Sequence, residues 1–200
     1  MGEKILAVGS EIITMMKIPE GISLHSTDSM KQYIREIGEH FIIEDRDKLE
    51  GNPDFRQLIP YVVLNFNNTY FSAVRTKEGG DARLHHKRII GFGGHANWVD
   101  MPTKDLAIQL RVNANRELEE ELEIRDSYAL SFSGFINLLT TPVDKDHLGI
   151  YIRVNLDSPL VSIREKSVLV GGGFLNKLSL TGYAEDLENW SKVVLEILDF

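Results

Sequence analysis

The run Arg116-Glu117-Leu118-Glu119-Glu120-Glu121-Leu122 constrains this chain more than any other segment. In a helix turning about 100° per residue, Glu117, Glu120 and Glu121 fall within an arc of roughly 100°. Leu118 and Leu122 lie beside that arc and can face a core, while Glu119 and Glu123 project elsewhere. The run therefore reads as a helix that lies on something apolar and carries three carboxylates along its margin. Each like-charge pair at i, i+3 or i, i+4 costs a few tenths of a kcal/mol on an exposed helix. A hard divalent cation offsets that repulsion directly, because magnesium takes a few carboxylate oxygens together with water and substrate phosphates. A solvated acidic face is the plain alternative for a charge run of this kind.

The rest of the chain supplies the surface such a helix needs. Lys4 to Val8, Leu58 to Asn65, Tyr70 to Arg75, Arg88 to Gly94, Ser131 to Leu139 and Leu148 to Leu156 have the apolar content of strands. Asn67-Asn68 marks a turn between the second and third of them. Ser29 to His40 has helical spacing, with Thr27 or Asp28 as its cap, and Leu187 to Leu198 closes the chain as an amphipathic helix. Glu44 to Asp54 reads as a charged loop, and Gly171-Gly172-Gly173 as a tight loop. Strands, a helix, more strands and a last helix predict a mixed sheet covered by helices. No linker is evident, so residues 1–200 are expected to form one domain, with 1–55 as an N-terminal elaboration.

Composition narrows the function classes. A formal net charge of -8 argues against polymeric nucleic acid or an anionic membrane as partner. It leaves room for a small phosphorylated ligand, since one metal ion reverses the local sign. With no cysteine, disulfides, thiolate metal sites and a cysteine nucleophile are excluded. The N-terminal apolar stretch is broken by Glu11, and no window has the length of a membrane span. The chain is expected to be soluble and cytoplasmic, with a homodimer as one possible assembly.

The glutamate helix sits in a wider segment, Gly93 to Ile124, which resembles the signature box of the Nudix hydrolases. Arg116, Glu117, Leu118, Glu120, Glu121 and Ile124 match the box, and Gly94 matches its opening glycine. Asp100 stands where the box has glutamate. Two features depart from it. Fifteen residues separate Asp100 from Arg116 where the family has seven, and Glu123 replaces the late glycine that lets the chain turn. Thr103 or Asp105 would cap an earlier helix start inside the insertion. That insertion is expected at the surface beside the site. Weaker likenesses to a bacterial branch of the family lie in Ile59 to Val63, Ala82 to Lys87, Gly91 to His95 and the C-terminal Glu188 to Leu198.

The resemblance implies an α/β/α sandwich with a mixed, curved sheet. It also implies hydrolysis of a nucleoside diphosphate linked to another moiety, with water attacking phosphorus. Magnesium, or manganese in its place, would be held by Glu117, Glu120 and Glu121, with the Gly94 carbonyl and a later carboxylate as further ligands. Glu165 is the first candidate for that carboxylate and Glu188 the second; either can equally be a surface acid. Glu117 or a neighbouring carboxylate would take the proton of water, and Arg116 would fix a glutamate rotamer. Among the basic residues of the Arg75 to Arg88 region, Arg83 and Lys87 are the candidates for holding phosphate, with His95 as a further contact. Phe92 belongs in the core, and no histidine spacing resembles a zinc site. A Nudix-type isomerase would need the cysteine this chain lacks. A non-catalytic sensor of a nucleotide-like ligand is the competing reading.

Overall fold

The computed structural model describes residues 2–78, 85–98 and 103–199. Their strands belong to a ten-stranded sheet and a two-stranded one, and helices accompany both. The α/β class expected from the sequence is the class observed. The chain divides into two compact units: residues 1–61, 93–115 and 131–152 form the first, and residues 62–92, 116–130 and 153–200 the second.

In the first unit β1 (Lys4–Gly9) pairs antiparallel with β3 (Ile42–Asp45) and with the start of β4 (Phe55–Phe66). Ile5, Leu6, Ala7 and Val8 are all fully buried, which explains their unbroken apolar run. β2 (Gly21–Leu24) pairs with β9 (Ser131–Asn137). Helix α1 (Ser10–Met15) follows β1, and α2 (Thr27–His40) buries Met30, Ile34 and Ile37. The cap of α2 is Ser26, one residue ahead of the expected pair: its Oγ accepts from the amide of Ser29 at 3.2 Å. The charged stretch 44–54 is not wholly loop. It ends β3 and forms the short helix α3 (Arg46–Leu49), and Leu49 packs against Ile5 and Ala7.

In the second unit β5 (Thr69–Arg75) pairs antiparallel with the end of β4 across the turn at Asn67 and Asn68, both at positive φ. The Arg88 to Gly94 strand is two short pieces, β6 (Arg88–Ile89) on β5 and β7 (Gly91–Phe92) on β4. Phe92 is fully buried, with its ring centroid 5.8 Å from that of Phe71. The triple glycine is not a loop: it lies within β12 (Leu169–Asn176), which pairs with β5. The register shifts between Val170 and Gly173, and Gly171 takes φ 65, so the glycines form a bulge in an edge strand. Helix α6 (Lys177–Thr181) follows β12, and α7 (Asn189–Ile197) comes last, with Leu187, Val194 and Leu198 buried.

Helix α4 (Leu106–Glu121) carries the glutamates. Asp105 caps its start, accepting from the amides of Ala107 at 2.9 Å and Ile108 at 3.2 Å. Leu106, Leu110, Ala114, Leu118 and Leu122 recur every fourth residue and are all buried. The extra residues ahead of Arg116 are therefore not a surface excursion over this stretch. They lengthen the helix N-terminally, with Gln109 and Asn113 buried as well. Asn113 accepts from the amide of Asn97 at 2.8 Å and donates to its carbonyl at 3.0 Å, which ties the helix to the loop after β7. Asp100 itself lies outside the described residues.

Candidate active site

At its C-terminal end α4 runs straight into β8 (Leu122–Ile124) without the late glycine. The turn is made by pairing. β8 is antiparallel to β11 (Val161–Ile163), with Leu122 opposite Ile163, and the chain then folds over the helix end. The amides of Arg164 and Glu165 both donate to the Glu121 carbonyl, at 2.8 and 3.3 Å. A carbonyl that has no partner within its own helix is thereby satisfied, and Glu165 is set beside Glu121.

The three box glutamates have three environments. Glu121 is buried, beside the apolar stripe, because it directly precedes Leu122 and follows Leu118 by three. Glu117 is half-buried and held by Arg116, whose Nη2 lies 2.8 Å from its Oε1. Glu120 is exposed and receives the Nη1 of Arg116 at 3.2 Å. Arg116 thus contacts both glutamates, where the sequence suggested a pairing with one. Glu119 is exposed.

Glu121 is the anomalous group. Its Oε2 is buried and has no hydrogen-bond partner among the described residues. Burial is the largest cause pushing its carboxyl up, to about 8; Arg75 opposes the shift, and the charges of Glu117, Glu165 and Glu188 add to it. Residues distant in sequence have therefore converged on one carboxylate. Glu188, at the N-cap of α7, is itself buried, with its Oε2 3.5 Å from the Nε of Arg75. Both acids considered as later-loop ligands face Glu121, together with an arginine expected in a phosphate-holding loop. Sequence reasoning had no signal for Arg75 here, because its position follows from β5–β12 pairing.

The sign of the consequence for the metal-free chain is definite. The folded form holds a proton on Glu121 to about 8, whereas the ordinary carboxyl loses it near 4.5. In that window the folded state binds more protons than the unfolded one, so stability falls as pH rises and levels off above 8. At roughly 1.4 kcal/mol per pH unit the effect is of the order of a few kcal/mol. In chelator, urea midpoints measured across this window should fall more steeply for the wild type than for Glu121→Gln. Parallel profiles would contradict the placement of this carboxyl.

The remaining candidates lie elsewhere. Lys87 donates to the Glu185 carbonyl at 3.1 Å. Arg88 stacks over Tyr183 at 4.2 Å. Gly94 and His95 belong to the first unit. There the His95 Nε2 is 2.7 Å from Gln57 Oε1 and 3.1 Å from His147 Nε2, so the imidazole sits in a side-chain network. Arg83 is outside the described residues.

The glutamate cluster suits a hard divalent ion in donor type: all-carboxylate, with one buried oxygen lacking any partner among the described residues. Among the described residues no three acidic or histidine groups already stand at ligand separation. Occupation would therefore involve side-chain rotation, which the exposed Glu165 and Glu120 have room to make. No described helix is long and apolar enough to cross a membrane.

No family model matches the chain. It is 37% identical over 158 residues to protein YmaB of Bacillus subtilis, an overlap of 77% of this chain and 76% of that protein. Among solved structures it is similar to Tm1382, provisionally assigned to the Nudix hydrolases, with a TM-score of 0.79 and 24% identity over 98% of this chain and 97% of that one. The MutT protein of Methanosarcina mazei matches with a TM-score of 0.50 and 14% identity, over 70% and 91% of the two chains. The chain thus belongs to one family with protein YmaB, and its fold is the Nudix fold.

Proposed function

We propose that this chain is a metal-dependent pyrophosphohydrolase, acting on a nucleoside diphosphate linked to another moiety. The observation that carries the reading is Glu121, a buried carboxylate with one oxygen unpartnered among the described residues, surrounded by Glu117, Glu165 and Glu188. A structural acid in that position only costs stability; a metal ligand uses the same features. The likeness to Tm1382 and MutT supports the assignment through the fold.

Glu117, Glu120, Glu121 and Glu165 are the residues that would hold magnesium or manganese. When bound, the ion neutralises diphosphate charge and makes its coordinated water more acidic. Arg116 keeps Glu117 and Glu120 in fixed rotamers through contacts of 2.8 and 3.2 Å. Glu117, half-buried and adjacent to Glu121, accepts the proton of the attacking water. Water oxygen bonds to one phosphorus, the bridging P–O bond breaks, and two phosphorylated products leave. Arg75, inside the acidic cluster, supplies positive charge toward substrate phosphate. The partner is a small molecule in the cytoplasm, and Lys87 and Arg83 remain candidate phosphate contacts.

A panel of deoxynucleoside triphosphates, nucleotide sugars, ADP-ribose and dinucleoside polyphosphates tests the proposal, each assayed with magnesium, with manganese and with chelator. The expected result is product formation from at least one member, abolished by chelator. If magnesium raises the melting temperature by mass action but no member is cleaved, the sensor reading replaces this one.

A further inference from the structure

Glu188 is the N-cap residue of α7, yet its carboxylate makes no hydrogen bond to the amides it would cap. An acid at that position ordinarily accepts from those amides and gains from the helix dipole. Here the side chain serves something else. Its Oε1 receives the Ser191 hydroxyl at 3.4 Å, and its Oε2 lies 3.5 Å from the Nε of Arg75. Both members of this ion pair are largely buried.

The backbone fixes both partners to one segment. The Arg75 amide donates to the Lys87 carbonyl at 2.9 Å, and the Arg75 carbonyl accepts from the His86 amide at 3.0 Å. The Glu188 amide donates to the Arg88 carbonyl at 3.1 Å. Ser191 Oγ, which contacts the carboxylate, accepts from the Ile90 amide at 2.9 Å. Residues 86–90 are thus a common frame on which the pair is assembled. A long arginine side chain loses much rotamer freedom when it is fixed. A carboxylate built in beside it imposes that order before any ligand arrives.

Arg75 also acts on a second acid. Its charge and that of Glu188 are both felt at Glu121, with opposite signs. With the Glu121 oxygens given to a divalent ion, its attraction for Arg75 is lost and the ion itself repels the guanidinium. Glu188 then remains to hold the arginine in place. It is a poorer candidate for a ligand than Glu165, since its two oxygens already face Ser191 and Arg75 whereas Glu165 is exposed.

We propose that Glu188 is a positioning residue, which holds Arg75 beside the glutamate cluster so that the guanidinium meets the diphosphate of the substrate. This rests on the reading of the glutamates as a metal site for a diphosphate, and it gives Glu188 neither the metal nor a proton to handle.

Two binding measurements on the full chain test it, and neither needs turnover. Manganese affinity is read by electron paramagnetic resonance. The manganese-loaded chain is then titrated with methylenediphosphonate, a diphosphate whose bridging oxygen is replaced by carbon. Glu188→Gln should bind manganese as the wild type does and methylenediphosphonate about tenfold more weakly, as expected when one partner of a buried charge pair is removed. In an Arg75→Gln background the same substitution should have no further effect, because Glu188 acts only through the arginine. Glu165→Gln should instead weaken manganese binding itself. Loss of manganese affinity in Glu188→Gln equal to that in Glu165→Gln makes Glu188 a ligand and overturns the proposal. Unchanged methylenediphosphonate affinity overturns it too, as does an undiminished effect in the Arg75→Gln background or a manganese-loaded wild type that binds no diphosphonate. Should Glu188→Gln not fold, Glu188→Asp, which keeps the charge and withdraws it by one methylene, is read by the same criteria. A chain that shows the expected binding but cleaves no member of the substrate panel keeps this role for Glu188 and loses the hydrolase reading.

Discussion

Glu121→Gln is expected to lower hydrolysis by a hundredfold or more, the order typical of losing one charge-stabilising group, while Glu119→Gln changes it less than about threefold. The two acids are separated by one residue and have the same chemistry, so only position distinguishes them. Glu121 is buried, has an oxygen without a partner among the described residues and faces three other carboxylates; Glu119 is solvated on another side of α4. The amide keeps the volume of the carboxylate and removes its charge. The metal-free Glu121→Gln chain should accordingly gain stability on the wild type progressively as pH rises from 4.5 to about 8, while magnesium no longer raises its melting temperature. Glu120→Gln should fall between the two, since its carboxylate is exposed and also holds Arg116. Turnover and magnesium-dependent melting, measured on all three variants, decide the matter. Equal behaviour of Glu119→Gln and Glu121→Gln would reduce the helix to a solvated acidic face.

Gly93→Ala is expected to be among the most disruptive single methyls in the chain's first unit. A Cβ at Gly93 would lie 2.0 Å from the carbonyl oxygen of Pro60, 3.0 Å from its carbon and 3.2 Å from Tyr61 Cα. All three are backbone atoms of β4, so no side chain can rotate away. Overpacking typically costs 1–3 kcal/mol, and a rigid backbone clash belongs at or above the upper end, about 3 kcal/mol. At roughly 2–4 °C per kcal/mol for a chain of this size, the melting temperature should fall by about 6–12 °C. Gly173→Ala is the control, because nothing lies within 4 Å of its added Cβ. Thermal unfolding by circular dichroism checks both, and a Gly93→Ala melt matching the wild type would contradict this close approach.

These two glycines show how legible the chain was. Gly93 stands in GFGGH, which reads as a strand entering glycines, and Gly173 in GGG, which reads as a tight loop. One is excluded from carrying a side chain by the backbone of β4. The other lies in a bulge of β12 whose existence depends on pairing with β5. Likewise 44–54 reads as loop by its charge, yet its first residues pair with β1 and Leu49 enters the core. Composition reports local preference, and pairing with a distant strand overrides it.

What the sequence determined alone is local and periodic. The apolar stripe of α4, the i, i+3, i+4 spacing of its glutamates, the Arg116 contacts and the Asn67-Asn68 turn all follow from residues within a few positions of one another. Helical spacing sets Glu121 beside the apolar stripe, but the tertiary structure decided that it is buried while its neighbour Glu120 is exposed. It alone set Arg75, Glu165 and Glu188 against Glu121, through β8–β11 and β5–β12 pairing. It alone buried Arg56 on the backbone carbonyls of Leu138, Asp144 and His147. The reason is physical: burial and electrostatic environment are sums over groups brought close by long-range pairings, and nothing in a residue's immediate neighbours encodes which distant groups those are.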